Sequence, residues 1–96
     1  MNLTVHLEYH AQAALHARCT RESITIPHQP GQPRPIVQTA IRLAASLHPE
    51  LAPLLLDEHD NVRRSLLLAS DDRQIEPDQP LQPGQTIAII PPIAGG

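Results

Sequence analysis

Apolar and polar residues alternate strictly over residues 3–10 at the start of the chain. Because successive side chains of a β-strand point to opposite faces, this alternation predicts a half-buried strand. Its apolar side is formed by Leu3, Val5, Leu7 and Tyr9. Ile24 and Ile26 repeat the same spacing in the segment that starts at Glu22, which predicts a second strand able to form a hairpin with the first. The alanine-rich segment 11–20 is expected to be a turn or one short helical turn.

One segment, about residues 36–48, has the three-and-four spacing of apolar residues that is typical of an amphipathic helix. Its apolar positions are Ile36, Val37, Ala40, Ile41, Ala44 and Leu47. Proline is well tolerated at the first position of a helix, so Pro35 is predicted to begin this helix and Pro49 to end it. A second short turn is expected over residues 51–55.

The second half of the chain predicts three more extended segments. Residues 65–70 read as a short buried strand, residues 74–75 as a brief extended piece, and residues 85–90 as the last strand. Turn signals at Asp71-Asp72 and Pro83-Gly84 separate them. A small sheet with one apolar side and one amphipathic helix must cover each other, so we predict an α+β fold, a mixed sheet packed on one main helix. The pattern leaves open whether the first and last strands are neighbours.

Composition limits the classes of function open to this chain. Its 96 residues make one domain, whose core must be aliphatic because the chain has no Phe or Trp and only one Tyr. A net charge of −3 argues against nucleic acid, and no apolar run approaches the roughly 20 residues that span a bilayer. There is no recognisable secretory signal, and a single cysteine excludes an internal disulfide. We therefore expect a cytoplasmic protein with neither a nucleic-acid nor a membrane partner.

The most informative segment is Pro91-Pro92-Ile93-Ala94-Gly95-Gly96, which follows the last strand. Two prolines cannot donate to a sheet ladder, so they are expected to end the strand and keep the next residues extended. Two glycines then leave a free carboxylate without a neighbouring side chain, on backbone that can approach another surface closely. We therefore predict a domain over residues 1–90, a flexible tail over 91–96, and a C-terminal carboxylate that is itself the reacting group.

This ending resembles that of the ubiquitin-like β-grasp sulfur carriers of the MoaD/ThiS family, and within it most of all the MoaD branch, the small subunits of molybdopterin synthases. The residues that carry the resemblance run from Pro80-Leu81 through Pro83-Gly84 and the apolar strand 86–90 to Gly95-Gly96. The resemblance implies a β-grasp sheet with the first and last strands side by side at its centre.

The resemblance also implies a chemistry for the tail. In this family an adenylyltransferase of the MoeB/ThiF type, similar to ubiquitin-activating enzymes, uses ATP and Mg²⁺ to adenylate the terminal carboxylate, so the chain needs no cofactor of its own. Carried over, Gly96 is the reacting residue, first as an acyl-adenylate and then as a thiocarboxylate. Ile93 is the candidate docking residue, because an apolar side chain that folding need not bury can serve a groove on the partner. The residues that thread into the partner are Pro91, Pro92, Ala94 and Gly95.

The other partners implied are a sulfur donor, such as a cysteine desulfurase or a rhodanese, and an acceptor synthase of the MoaE or thiazole-synthase type. These features predict a carrier and not an enzyme, most specifically the small subunit of a molybdopterin synthase-type complex in molybdenum cofactor biosynthesis. Thiamine or cysteine synthesis, and attachment to proteins as a ubiquitin-like modifier, are open alternatives with the same first step. A β-grasp interaction module whose tail is never activated is the alternative from another class.

Two other groups of residues are candidates for chemistry, each with a simpler interpretation. His6, Glu8 and His10 share one strand face, where alternate side chains lie roughly 6.5–7 Å apart and can share a metal. No fourth ligand is evident, and a solvated face is the simpler interpretation. Cys19 can form a mixed species with a sulfur donor, but a lone cysteine is more often a small apolar filler or an inert thiol. We therefore predict no metal site.

Overall fold

A five-stranded sheet carries the longest of the described helices on one face. The computed structural model describes residues 2–92. The strands are β1 (Asn2–Tyr9), β2 (Arg21–Pro27), β3 (Leu67–Ser70), β4 (Arg73–Gln74) and β5 (Thr86–Ile90), and the helices are α1 (Gln12–Ala17), α2 (Val37–Leu47) and α3 (Ala52–Leu55). Within this range, none of the helices combines the length and the apolar character needed to cross a bilayer.

The first and last strands lie side by side at the centre of the sheet, whose strand order is β2-β1-β5-β3-β4. β1 and β5 run parallel, with Leu7 opposite Ile87 and Tyr9 opposite Ile89. β2 is antiparallel to β1, and β3 is antiparallel to β5. The predicted hairpin and the β-grasp arrangement implied by the resemblance are therefore both confirmed. The sequence pattern left open whether the first and last strands are neighbours, and the structure shows that they are.

The core lies between the sheet and α2 and is built mainly from aliphatic side chains, as the composition predicts. Leu47, predicted on the apolar face of α2, is 59% exposed. The residues that α2 buries are Val37, Ala40, Ile41 and Ala44, as predicted, together with Ala45. The sheet opposes them with Leu3, Val5, Leu7, Ile24, Ile26, Leu68, Ile87 and Ile89. Because three of the buried α2 residues are alanines, this helix can approach the sheet closely.

The helix α2 begins later than the sequence predicts, and a tertiary contact explains why. The prediction that Pro35 begins the helix is wrong, because Ile36 is the extended residue that precedes α2, with φ −101° and ψ 166°. The carbonyl of Pro35 accepts a hydrogen bond from the backbone N–H of Leu81 at 2.8 Å, and Ile36 forms an antiparallel bridge with Pro80. Pairing with this distant segment keeps both residues extended, so the helix starts only at Val37.

Two other segments differ from their predictions. The sequence predicts a short buried strand over residues 65–70, whereas β3 spans Leu67–Ser70 and buries one face only. Leu66 and Leu68 are buried, whereas Leu67 is 40% exposed. Within the segment 11–20, α1 is longer than one helical turn because Ala13 and Ala17 pack into the core.

One carboxylate organises the loop that follows α3. Asp57 Oδ1 accepts hydrogen bonds from the backbone N–H groups of Asn61 (3.1 Å) and His59 (2.8 Å). These two bonds, Asn61 first, hold the pKa of Asp57 below its usual value. The ionised form of this carboxyl group is therefore favoured by the folded state.

We expect Asp57→Asn to lower the free energy of unfolding at neutral pH but not in strong acid. A carboxyl group with a lowered folded pKa stabilises the fold above its unfolded pKa, and this contribution is lost as pH falls through the folded value. Urea titrations of both chains at neutral pH and below the folded pKa would measure this. The matched control is Asp60→Asn, which removes a carboxylate of the same loop that makes neither bond. A pH-independent difference for Asp57→Asn would contradict the prediction.

Candidate functional site

β5 delivers the C-terminal segment to one end of the sheet. Ile87 and Ile89 are fully buried, and the strand ends at Ile90, directly before two prolines. Past the end of β1, the backbone N–H of His10 donates to the carbonyl of Ile89 at 3.1 Å. The chain is therefore held at the centre of the sheet up to the point where it leaves.

The two prolines mark the exit of the chain from the domain. Pro91 is buried and Pro92 is exposed, so the backbone passes from the core to solvent within one residue. The other predicted site residues lie outside the described residues, and their roles stay predictions: Ile93, Ala94, Gly95 and Gly96.

Beside this exit, the sheet face opposite α2 carries a small apolar patch. Leu67 pairs with Ile90, and Ala69 pairs with Ala88, which brings the four side chains together across β3 and β5. We call Leu67, Ala69, Ala88 and Ile90 the open-face patch. Leu67 is 40% exposed and the other three are half-buried. The sequence analysis missed this patch because it predicted a buried strand there, and it took Ile93 as the docking residue.

The structure does not assemble His6, Glu8 and His10 into one group of three potential ligands. His6 Nδ1 lies 2.7 Å from Ser23 Oγ, whereas His10 Nε2 lies 3.7 Å from Glu8 Oε1. Arg21 Nη1 lies 3.6 Å from the other carboxylate oxygen of Glu8. These side chains make separate contacts along a polar strip beside the open-face patch, which fits the simpler interpretation of a solvated face.

A cluster of polar side chains that the sequence analysis missed lies on the helix side of the sheet. His48 Nε2 lies 2.7 Å from Glu22 Oε1, and the Tyr9 hydroxyl donates to the same oxygen. The Cys19 thiol is the third potential ligand beside Glu22 and His48, and the ligand atoms of all three lie within 4.8 Å of one another.

The sequence does contain a signal for this cluster, at Glu22. This residue is in phase with Ile24 and Ile26, which places a carboxylate on the core-facing side of β2. A half-buried carboxylate needs hydrogen-bond partners, so its position alone indicates that polar groups lie nearby. His48, which supplies one of them, is 26 residues further along the chain and gives no local signal.

Burial and the Glu22 carboxylate change two pKa values in this cluster. Burial first, and then the hydrogen bond to Glu22, raise the pKa of Tyr9, so this hydroxyl stays a neutral donor. Burial and the negative charge of Glu22 also raise the pKa of the Cys19 thiol, against the opposing effect of a backbone hydrogen bond at Arg21. This environment does not favour a reactive thiolate.

Several solved structures share the fold. Small archaeal modifier protein 1 of Haloferax volcanii is similar with 13% identity and a TM-score of 0.81, over 95% of this chain and 99% of that one. A candidate molybdopterin converting factor subunit 1 of Pyrococcus furiosus is similar with 20% identity and a TM-score of 0.69, over 95% and 99%. Urm1 of Trypanosoma brucei has 19% identity and a TM-score of 0.69, over 99% and 97%. These likenesses show the β-grasp fold.

No curated protein sequence matches the chain. A model of the ThiS family matches residues 31–96, more than half of its length. The matched stretch contains α2, both strands of the open-face patch, the exit at Pro91 and the Gly-Gly sequence. Members of this family work with activating enzymes similar to those of ubiquitin and with synthase partners. A match over this much of the chain, on a β-grasp domain whose last strand leads out to that sequence, shows that the chain belongs to the ThiS family of small ubiquitin-like carriers and modifiers.

Proposed function

We propose that this chain is a sulfur carrier whose Gly96 carboxylate is adenylated by a partner enzyme and then converted to a thiocarboxylate, with molybdopterin biosynthesis as its pathway. The observation that carries the proposal is the ThiS family match, which extends through the exit of the chain to Gly96. The likeness of the fold to a candidate molybdopterin converting factor subunit supports the choice of pathway.

The chemistry explains why a carrier needs an activating partner. A carboxylate is a poor acyl donor because its leaving group would be an oxide. Attack of one Gly96 oxygen on the α-phosphorus of ATP, with Mg²⁺ in the partner, expels pyrophosphate and forms an acyl-adenylate. Hydrosulfide then attacks the acyl carbon and expels AMP. A cysteine desulfurase or a rhodanese holds its sulfur as a persulfide, so a thiol reductant must release that sulfur as hydrosulfide, and the thiol is oxidised to a disulfide. The thiocarboxylate product keeps one carboxyl oxygen and gains one sulfur, which an acceptor synthase can receive.

The exit geometry supports delivery of this carboxylate to another protein. Pro92 is exposed directly after a buried Pro91 at the end of a central strand, so the last described residue lies at the surface of the domain. Four residues follow Pro92 in the sequence, and four extended residues span at most about 14 Å. The activating enzyme must therefore bring its nucleotide within that distance of Pro92, which requires close contact with the surface of the domain around this residue.

The open-face patch is the surface that we assign to this contact, because Ile90 joins it directly to the exit. We expect Leu67→Lys to raise the KM of the activating enzyme for the carrier about tenfold, since an ammonium group must be desolvated in the interface. The kcat should change little, because the tail chemistry is untouched. Steady-state adenylation assays would measure both constants.

The matched control is Leu47→Lys, which makes the same change at an exposed leucine of α2, on the other side of the sheet. Leu47 is 59% exposed, so neither variant opens a cavity in the core. Equal effects of the two variants on KM would contradict docking through the open-face patch.

The proposal is tested by the intact mass of the chain after incubation with ATP, Mg²⁺, sulfide and an adenylyltransferase of the MoeB/ThiF type. We expect a mass increase equal to the exchange of one oxygen for sulfur, mapped to the peptide that contains Gly96. Loss of that increment on addition of a MoaE-type acceptor and its substrate would assign the molybdopterin pathway, whereas loss with a thiazole synthase would assign thiamine synthesis. No change with several enzymes, each active on its own carrier, would favour a non-activated interaction module.

A second candidate function is attachment to other proteins. Two of the structural neighbours are a small archaeal modifier protein and Urm1, and the first is named as a modifier. The same activated Gly96 would then form an amide with a lysine of the target. Peptides that contain a lysine joined to Gly96, recovered after incubation with the activating enzyme, would identify this outcome.

A further inference from the structure

The Cys19, Glu22 and His48 cluster lies outside the site of the proposed carrier chemistry. Its three residues come from separate elements: Cys19 precedes β2, Glu22 belongs to β2, and His48 directly follows α2. Each is half-buried. Among residues 2–92, this is the one group of three Cys, His, Asp or Glu side chains whose ligand atoms approach each other so closely.

We propose that Cys19 Sγ, His48 Nε2 and a carboxylate oxygen of Glu22 bind one Zn²⁺ ion, with water in the fourth position. Thiolate, imidazole and carboxylate are the three side-chain ligand types that zinc takes in proteins, and three protein ligands plus water is a common arrangement. Magnesium and calcium prefer oxygen ligands alone, so the thiol and the imidazole select against them.

The separations between the ligand atoms suit this ion after small side-chain movements. Zinc bonds of about 2.0–2.3 Å in a tetrahedron place the ligand atoms about 3.3–3.8 Å from one another. The ligand atoms here lie within 4.8 Å of one another, and His48 Nε2 lies 2.7 Å from Glu22 Oε1. The longer separations must shrink by up to about 1 Å and the shortest must widen by less than that. Rotations about side-chain bonds can supply both changes without moving the backbone.

The second layer of contacts already orients the Glu22 carboxylate. Its Oε1 accepts a hydrogen bond from the Tyr9 hydroxyl and also contacts His48 Nε2. Neither of these two contacts uses Oε2. When His48 Nε2 turns to the metal, the Tyr9 hydroxyl still holds the carboxylate through Oε1, as outer groups commonly do around zinc ligands. The Tyr9 ring also packs edge-on against the His48 ring, with 6.1 Å between centroids and 84° between planes.

The charges of the three ligands balance those of the ion. Zinc binding releases the Cys19 thiol proton to solvent. The thiolate and the carboxylate then carry two negative charges and a neutral imidazole adds none, so the half-buried site is neutral when Zn²⁺ is bound. Within residues 2–92, His48 is the only basic side chain within 4 Å of Glu22. The bound ion would join the β1–β2 hairpin to the end of α2 and stabilise the domain.

Metal titration of the reduced, chelator-treated chain tests the proposal. With Co²⁺ as a spectroscopic substitute, we expect one equivalent to produce the visible bands of tetrahedral cobalt and a thiolate-to-metal charge-transfer band, and Zn²⁺ to displace it. At zinc concentrations about 100 times the dissociation constant, the melting temperature should rise by roughly 10–20 °C.

Variants of the cluster identify the ligands. Cys19→Ser should abolish the charge-transfer band, and Cys19→Ser and His48→Gln should each weaken zinc binding by more than about 100-fold. The matched control is His59→Gln, which removes an exposed histidine beside Glu58 and should bind zinc like the native chain. Circular dichroism without metal shows whether each variant is folded. If His48→Gln does not fold, the result for Cys19→Ser is sufficient to test the proposal. The absence of stoichiometric binding, or unchanged binding by folded Cys19→Ser, would overturn the proposal.

Discussion

Addition of one alanine after Gly96 is expected to reduce kcat/KM for adenylation by more than about 1,000-fold, because a displacement of 1 Å can already cost about 100-fold. One extra residue moves the terminal carboxylate by about 3.5 Å and adds a methyl group beside it. The amide that Gly96 would then form is also a much weaker nucleophile than its carboxylate. Deletion of Gly96 should have an effect of similar size. ATP–pyrophosphate exchange with the activating enzyme measures this step before any sulfur is transferred.

The matched control inserts the same alanine between Pro30 and Gly31, in an exposed loop where backbone insertions are tolerated. This variant should be adenylated at the native rate, and both variants should melt near the native temperature. Native exchange rates for the extended chain would show that the Gly96 carboxylate is not the reacting group. That result would contradict the carrier proposal. The zinc proposal does not depend on it and is tested separately by the metal titration.

Ile89→Ala is expected to lower the free energy of unfolding by about 3 kcal/mol. Ile89 is fully buried in the central strand β5, between Tyr9 of β1 and Leu68 of β3, so the backbone around it cannot readily collapse into the cavity. For a domain of this size, a loss of this magnitude lowers the melting temperature by roughly 10–25 °C. Urea unfolding followed by circular dichroism would measure the change.

The matched control for this variant is Ile90→Ala, which deletes the same atoms at the next residue. Ile90 lies on the opposite face of β5 and is half-buried, so its truncation should cost about 1 kcal/mol or less. Ile90→Ala should instead weaken the encounter with the activating enzyme, because Ile90 belongs to the open-face patch. Equal losses of stability for the two variants would contradict the assignment of faces along β5.

Much of the fold could be predicted from local patterns. The alternation of residues 3–10 predicts β1 and its buried side correctly, and the three-and-four spacing before Pro49 predicts α2 to within a residue at its end. Both predictions succeed because each element buries one face, and burial imposes the period of the element on the sequence. The predicted start, at about residue 36, is one residue early, because a bridge to Pro80 keeps Ile36 extended.

Part of the candidate site could likewise be predicted from local sequence, and part of it depends on tertiary contacts. The tail sequence from Pro91 to Gly96 is contiguous, so sequence alone was sufficient to single it out and to indicate a reacting carboxylate. The open-face patch was not predictable, since Leu67 and Ile90 become neighbours only through the pairing of β3 with β5. The Cys19, Glu22 and His48 cluster was missed for the same reason.

The sequence by itself determined the main strands and helix, the aliphatic character of the core and the chemistry expected at the C-terminal end. Each of these depends on composition or on residues that are close together along the chain. Only the tertiary structure decided that β1 and β5 are parallel neighbours, which face of β3 reaches solvent, and that His48 meets Glu22 on the helix side of the sheet. These features depend on contacts between distant segments, whose free energy comes from shared burial and pairing and leaves no periodic trace in either segment alone.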